Sequence, residues 1–93
     1  MKIKSLNISK IKLKNRLFLA PMVDVTDLPY RLVCKKAGAG MTYTEMIYVS
    51  AIIHENPKTK QLMQTSSSEK PSAIQITGNN PEEFNQVLQF IKN

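Results

Sequence analysis

The chain has 93 residues and a formal charge of +6, and 42% of its residues are hydrophobic. This length allows one domain at most, the composition is too apolar for a disordered chain, and no apolar run approaches the roughly 20 residues that span a membrane. The single cysteine, Cys34, excludes an intrachain disulfide and a cysteine-built zinc cluster, and the amino terminus lacks a signal-peptide pattern, so we expect a cytoplasmic protein.

The start of the chain predicts a small β-hairpin. Leu6 alternates with Ile8, and Ile11 alternates with Leu13, but the phase slips between the two pairs, which predicts a turn at Ser9 and Lys10. The lysines of this region are expected to form a solvated strand face: Lys2, Lys4, Lys10, Lys12 and Lys14. The net charge of the whole chain favours a polyanionic partner in general terms.

The next segment predicts a strand that runs into a turn and then a helix. Residues 17–20 form a continuous apolar run that suits a strand buried on both faces, and Pro21 ends it. Thr26 or Asp27 can cap the helix that follows, and residues 38–40 end it. One face of this helix is expected to carry four residues at helical spacing: Tyr30, Val33, Cys34 and Ala37.

Two further strand-helix units follow. Residues 41–46 alternate and are rich in Thr and Tyr, which predicts a strand with Glu45 at its carboxyl end. Short helical segments are expected at 49–54 and 58–64, and a polar connector follows them. Residues 72–78 predict the third strand.

The third strand and the last helix carry the clearest patterns. Ile74 and Ile76 share one face of the strand, which places Gln75 on the other face among small and polar groups. Asn80 as N-cap and Pro81 at the first helical position predict the start of the helix. The apolar stripe of this helix is expected to comprise Phe84, Val87, Leu88 and Ile91.

A hairpin followed by three βα units predicts an α/β fold with a parallel sheet and right-handed crossovers. Two architectures fit this order: an open doubly wound sheet, or part of a (β/α)₈ barrel, which takes about 250 residues when complete. In both architectures, ligands and catalytic groups collect at the carboxyl ends of the strands. The turn that begins at Pro21 is therefore the first candidate for a functional site.

Three segments also carry a resemblance to a known family. Residues 19–31 read LAPMVDVTDLPYR, residues 44–46 read TEM, and residues 71–82 read PSAIQITGNNPE. In this order and at this spacing they resemble the amino-terminal part of the tRNA-dihydrouridine synthases. The resemblance implies the first part of an FMN-binding (β/α)₈ TIM barrel, in which FMN reduced by NADPH passes hydride to a uridine flipped out of tRNA.

The resemblance also implies roles for particular residues. Pro21, Met22 and Val23 match the turn whose backbone lies against the flavin ring, and Gln75 matches the glutamine that hydrogen-bonds the polar edge of the ring. The general-acid cysteine of the family lies in an Asn-x-Gly-Cys-Pro segment that has no match here, and Cys34 is expected to be a buried structural thiol. No catalytic residue and no metal ligand are therefore assigned.

The same resemblance defines the expected domain content. Residues 1–93 are expected to be a single partial domain, the amino-terminal portion of a catalytic barrel, without the phosphate contacts for FMN and without the helical tRNA-binding domain. A chain of this kind is expected to be inactive alone. Its expected partners are tRNA and the remainder of the barrel, and the open sheet edge after the third strand favours self-association.

Two alternatives stay open from the sequence. Glu45 either contacts the substrate or pairs with Arg31, and the pair is favoured because a carboxylate at a strand end near a helix arginine would otherwise be uncompensated. The chain itself is either a fragment of a flavin-dependent tRNA-modifying oxidoreductase or a free-standing small basic α/β module that binds RNA or a protein without redox chemistry.

Overall fold

The computed structural model of the chain describes residues 4–92. Its helices and strands are β1 (Leu6–Ile8), β2 (Ile11–Leu13), α1 (Leu28–Lys36), β3 (Thr42–Tyr43), β4 (Ile47–Tyr48), α2 (Val49–Ile53), α3 (Pro57–Leu62), β5 (Ser72–Ala73), β6 (Ile76–Thr77) and α4 (Pro81–Lys92). A short 3₁₀ turn, Ser67–Glu69, precedes β5. The predicted α/β class is confirmed. Among the described residues, no helix is long and apolar enough to cross a membrane.

The predicted hairpin is confirmed. β1 and β2 pair antiparallel, with Leu6 opposite Leu13 and Ile8 opposite Ile11, and the chain turns at Ser9 and Lys10. Leu13 is fully buried, whereas the lysines predicted to be solvated are exposed: Lys4, Lys10, Lys12 and Lys14. Lys2 lies outside the described residues.

The three βα units bring their strands together in chain order, and all of them run parallel. The first strand is short: Phe18 bridges Met41, and the Leu19 N–H donates to the Met41 carbonyl over 3.0 Å. The second strand then pairs with the third, β3 with β5 and β4 with β6. Each strand therefore lies beside the one that precedes it in the sequence.

The second strand is interrupted between β3 and β4. Thr42 lies opposite Ser72 but Ile47 lies opposite Ile76, so the second strand has one more residue than the third between these pairs. The hydroxyl of Thr44 fills the gap in the ladder, since its Oγ1 accepts from the Gln75 N–H over 3.0 Å. This is the geometry of a bulge. Glu45 therefore lies within the interruption. The sequence predicted Glu45 at the carboxyl end of the strand, and this prediction is wrong.

The apolar core lies between the sheet and the helices α2 and α4. Its buried members are Ile47, Val49, Ile52 and Val87, and partly buried residues around it include Ile74, Ile76, Phe84 and Ile91. The predicted face of the third strand is thus confirmed, and so is the cap of α4, because the Asn80 Oδ1 accepts from the Glu82 N–H over 3.0 Å. Leu88 was predicted to be part of the stripe, but it is 51% exposed, since the buried face of α4 is narrower than the pattern suggested.

The predicted buried face of α1 is wrong. Asp27 caps the helix as expected, its Oδ1 accepting from the Tyr30 N–H over 3.0 Å, but Tyr30 is exposed and Val33 is 68% exposed. Cys34 is half-buried, where a buried thiol was expected. The residue that faces inward is Arg31, at 1% exposure, because a buried carboxylate from another segment pairs with it.

The prediction that the first strand is buried on both faces is also wrong. Leu17 and Phe18 are both exposed. Among the described residues, this strand pairs on one side only, with the second strand, which leaves it at one edge of the sheet. The apolar run therefore predicted the position of the strand correctly, but it predicted the burial of the strand incorrectly.

Candidate functional site

The turn after the first strand is closed by hydrogen bonds from one buried threonine. The Thr26 Oγ1 accepts from the Met22 N–H over 3.0 Å and donates to the Met22 carbonyl over 3.1 Å, and the Thr26 N–H donates to the same carbonyl. Thr26 is fully buried, whereas Met22 and Val23 are exposed, Val23 to 59%. Thr26 therefore fixes the turn from its buried side, and Met22 and Val23 remain exposed.

Glu45 ties the same turn to the second strand. Its Oε1 accepts from the Asp24 N–H over 2.5 Å, and the side chain is only 6% exposed. Asp24 has a φ of 64°, in the left-handed region that Asp tolerates better than most residues. The carboxylate therefore holds a backbone conformation that the chain would not favour alone. The predicted pair between Glu45 and Arg31 is wrong, because Arg31 pairs elsewhere.

Arg31 is the centre of a buried polar network that reaches the turn. Its Nε donates to the Glu69 Oε2 over 3.0 Å and its Nη2 to the Glu69 Oε1 over 3.2 Å. Nη1 donates to the Thr26 carbonyl over 2.7 Å, and Nη2 also donates to the Gln64 carbonyl over 2.8 Å. The Thr42 hydroxyl donates to the Glu69 Oε2 over 2.9 Å. This polar network joins α1, the turn, the second strand and the segment before β5.

Glu69 is the residue of this network that the sequence did not reveal. The sequence predicts a polar connector at this position, yet Glu69 is fully buried in the 3₁₀ turn. A single turn carries no periodicity, and a Glu among serines has the composition of an exposed loop. The one usable signal was indirect, since an arginine turned inward on α1 requires a carboxylate partner.

Gln75 lies on the face of the sheet away from the helices. Its neighbours Ile74 and Ile76 pack against the apolar core, so alternation directs the half-buried Gln75 to the other side. Its backbone is engaged with the second strand, but the described residues offer its side-chain amide no hydrogen-bond partner. Phe18 and Tyr43, whose ring centroids are 6.4 Å apart, contribute aromatic surface beside the second strand.

The four residues that the resemblance selected belong to the first and third strand-helix units, whose strands flank the second strand. Pro21, Met22 and Val23 follow the first strand, and Gln75 is within the third. Met22 and Val23 are exposed in the turn, and the side-chain amide of the half-buried Gln75 has no hydrogen-bond partner among the described residues. Among residues 4–92, no group of His, Cys, Asp and Glu is arranged to hold a metal ion.

Comparisons with known proteins agree on one family. Residues 18–93 match the family model described as dihydrouridine synthase. The tRNA-dihydrouridine synthase B of Pasteurella multocida is 36% identical over 85 residues, which are 91% of this chain and 26% of that protein. The protein of the same name from Escherichia coli K12 is 35% identical over 79 residues, or 85% of this chain and 25% of that protein. The chain spans about a quarter of the length of the curated relatives it matches.

Proposed function

Because the chain belongs to the dihydrouridine synthase family, we propose that it supplies the first strands of the FMN-binding (β/α)₈ barrel of a tRNA-dihydrouridine synthase. The observed strand order fits this architecture, because each strand pairs with the next one in the sequence, as barrel strands do. The first three strands of a doubly wound sheet can pair in the same way, so the preference for the barrel rests on the family match. The reading as a free-standing binding module without redox chemistry is disfavoured by the family match.

The candidate site fits a flavin in the chemistry of its groups. We propose that the backbone of Pro21, Met22 and Val23 lies against the ring and that the Gln75 amide bonds its polar edge. A ring edge with both donor and acceptor atoms needs a partner that can do both, and an amide is such a group. The amide has no protein partner among the described residues, which is the single observation that carries this assignment.

In this proposal, bound FMN would supply the hydride chemistry, with NADPH as the reductant and the C5–C6 double bond of uridine in tRNA as the bond that is reduced. The residues of this chain hold the turn in position for the ring, and they do not transfer protons. Thr26 and Glu45 hold the turn in one conformation, so that its backbone is preorganised for the ring. A direct contact of Glu45 with the substrate stays a prediction, and the bond to Asp24 supports the positioning role.

We further propose that the general acid and the tRNA-binding helical domain are contributed by residues other than these 93. Cys34, the one thiol in the sequence, is half-buried on α1 and does not belong to the turn or to the sheet face that carries Gln75. We expect the 93 residues alone to show no NADPH-dependent reduction of tRNA. A tRNA substrate implies the cytoplasm. Within the part of the chain that the structure describes, the third strand pairs only with the second, so its other edge can pair with further barrel strands or with a second copy.

The test of this function is a titration of the full-length protein with FMN, in which binding is measured from the flavin fluorescence. Gln75→Leu removes the amide while keeping similar volume, and we expect FMN binding to weaken about tenfold, the worth of one or two hydrogen bonds. Gln61→Leu, at an exposed position on α3, is the matched control and should bind FMN as the unmodified protein does.

Two results would contradict the proposal. If the full-length protein binds tRNA but takes up no FMN, the binding-module reading replaces the flavoenzyme. If FMN binds equally well to the Gln75→Leu variant and to the control, the protein is a flavoprotein but Gln75 does not contact the ring.

A further inference from the structure

A second concave surface lies at the opposite end of the strands from the turn. This cleft has a volume of about 700 Å³, and its lining includes the residues just before each strand: Lys14 and Asn15, then Gly40, then Lys70 and Pro71. The candidate flavin site is at the carboxyl end of the first strand. The cleft at the amino ends is therefore separate from it, and what the cleft binds is independent of the proposed function.

The cleft concentrates positive charge. Four lysines line it, Lys14, Lys35, Lys36 and Lys70, and the lining residues include no Asp or Glu. Lys35 is held at the floor, where its Nζ donates to the Gly40 carbonyl over 2.8 Å and lies 3.5 Å from the Pro71 carbonyl. The other three lysines are exposed around it. Because carbonyl groups do not neutralise an ammonium, the floor of the cleft keeps its charge.

The titration of Lys35 reflects these surroundings. Burial lowers the pKa of its ammonium, the charge of Lys14 lowers it further, and Glu69 offsets part of this effect. Glu69 is itself engaged by Arg31 and Thr42, and it does not line the cleft. Lys14 and Lys35 consequently repel each other, and an anion that entered the cleft would relieve this repulsion.

We propose that the cleft is an anion site that binds a phosphate group. A phosphate presents several acceptor oxygens and up to two charges, which match several ammonium donors converging from different segments. A concave basic surface also focuses its field and raises the local concentration of such an anion. The phosphate comes either from the backbone of an RNA or from a small free phosphate compound, and both sources share this chemistry.

The test uses the full-length protein with inorganic phosphate and pyrophosphate as probes. In NMR titrations, the amide signals of Gly38, Ala39 and Gly40 should shift saturably at millimolar probe concentrations. The variant Lys14→Gln/Lys36→Gln/Lys70→Gln leaves Lys35 in place, and should bind pyrophosphate at least tenfold more weakly. The control carries the same loss of charge on exposed lysines outside the cleft: Lys10→Gln/Lys12→Gln/Lys58→Gln.

The source of the phosphate follows from competition with an unmodified tRNA transcript. The ligand is an RNA backbone if tRNA displaces pyrophosphate and the cleft variant has a smaller slope of log affinity for tRNA against log salt concentration. The expected decrease in this slope corresponds to the loss of about two to three phosphate contacts. If both bind at once, the site serves a free phosphate compound. Either result supports the site.

The proposal is overturned if the three amide signals do not move at any probe concentration, or if the control weakens pyrophosphate binding as much as the cleft variant does. The second result would mean that net charge alone is responsible. Should the triple variant fail to fold, Lys36→Gln alone gives the same decision, since Lys36 is exposed and the substitution removes one cleft charge.

Discussion

The two halves of this molecule are held together by different kinds of interaction. Under α2 and α4, the apolar core consists of side chains whose contacts have no preferred direction. Between α1 and the turn, the polar network consists of bonds with fixed distances and angles. A packed apolar surface supplies stability, but only directional bonds define where a short backbone segment sits. The molecule uses the first for its framework and the second for its candidate site.

The strongest test of this contrast removes the carboxylate of the polar network. Glu69→Ala leaves the guanidinium of Arg31 buried without its counter-charge, and we expect a loss of about 3–5 kcal/mol in the free energy of unfolding. Urea unfolding followed by circular dichroism measures it. Ser67→Ala, an exposed position in the same 3₁₀ turn, should change stability by less than about 0.5 kcal/mol.

A double variant separates charge from shape at the same place. In Arg31→Met/Glu69→Leu the buried charges are both gone, so most of the stability lost in Glu69→Ala should return. The turn should nevertheless lose order, because Arg31 no longer donates to the Thr26 carbonyl. A double variant as unstable as the single one would show that the network contributes net stability and not position alone.

In the apolar core, the loss in the free energy of unfolding should depend on the buried volume that a substitution removes. Val87 is 1% exposed between α2 and the sheet, and Val87→Ala removes two methyl groups, so we expect a loss of about 2 kcal/mol. Leu88→Ala deletes more atoms at the next position but from an exposed side chain, and should cost less than about 0.5 kcal/mol. Equal losses in the two variants would mean that α4 is rotated from the orientation described above.

The contrast also explains what the sequence could predict. The faces of the third strand and the start of α4 follow from local spacing and capping residues, and both were predicted correctly. The face of α1 was wrong because spacing selected Val33, while the partner of Arg31 is 38 positions away in the sequence. Local sequence patterns therefore predict the residues of the apolar core, but they do not predict an ion pair between residues that are far apart in the sequence.

The candidate site was predictable only in part for the same reason. The turn and Gln75 were selected by a resemblance and by alternation, both of which are properties of short segments. The role of Glu45 was not, because it depends on a bond to the backbone of Asp24, which no side-chain pattern records. The bulge that positions Glu45 depends likewise on the register between two strands.

The smallest expected effect concerns this bond and shows whether polar contacts position the turn. In Glu45→Ala the Asp24 N–H loses its acceptor, and we expect a cost of about 1 kcal/mol, because the N–H is near enough to solvent to bond water instead. Glu45→Gln keeps an acceptor oxygen without the charge and should cost about half as much. Glu55→Gln, on an exposed residue, is the control.

Amide hydrogen exchange gives the readout that a global measurement would miss. Exchange at Asp24 and its neighbours in the turn should accelerate in Glu45→Ala, while exchange at Ile47, whose N–H donates to the Gln75 carbonyl within the sheet, should be unchanged. If both regions accelerate together, Glu45 is part of the framework. If only the turn does, the carboxylate sets the position of the backbone that the proposed flavin would contact, at little cost to the fold.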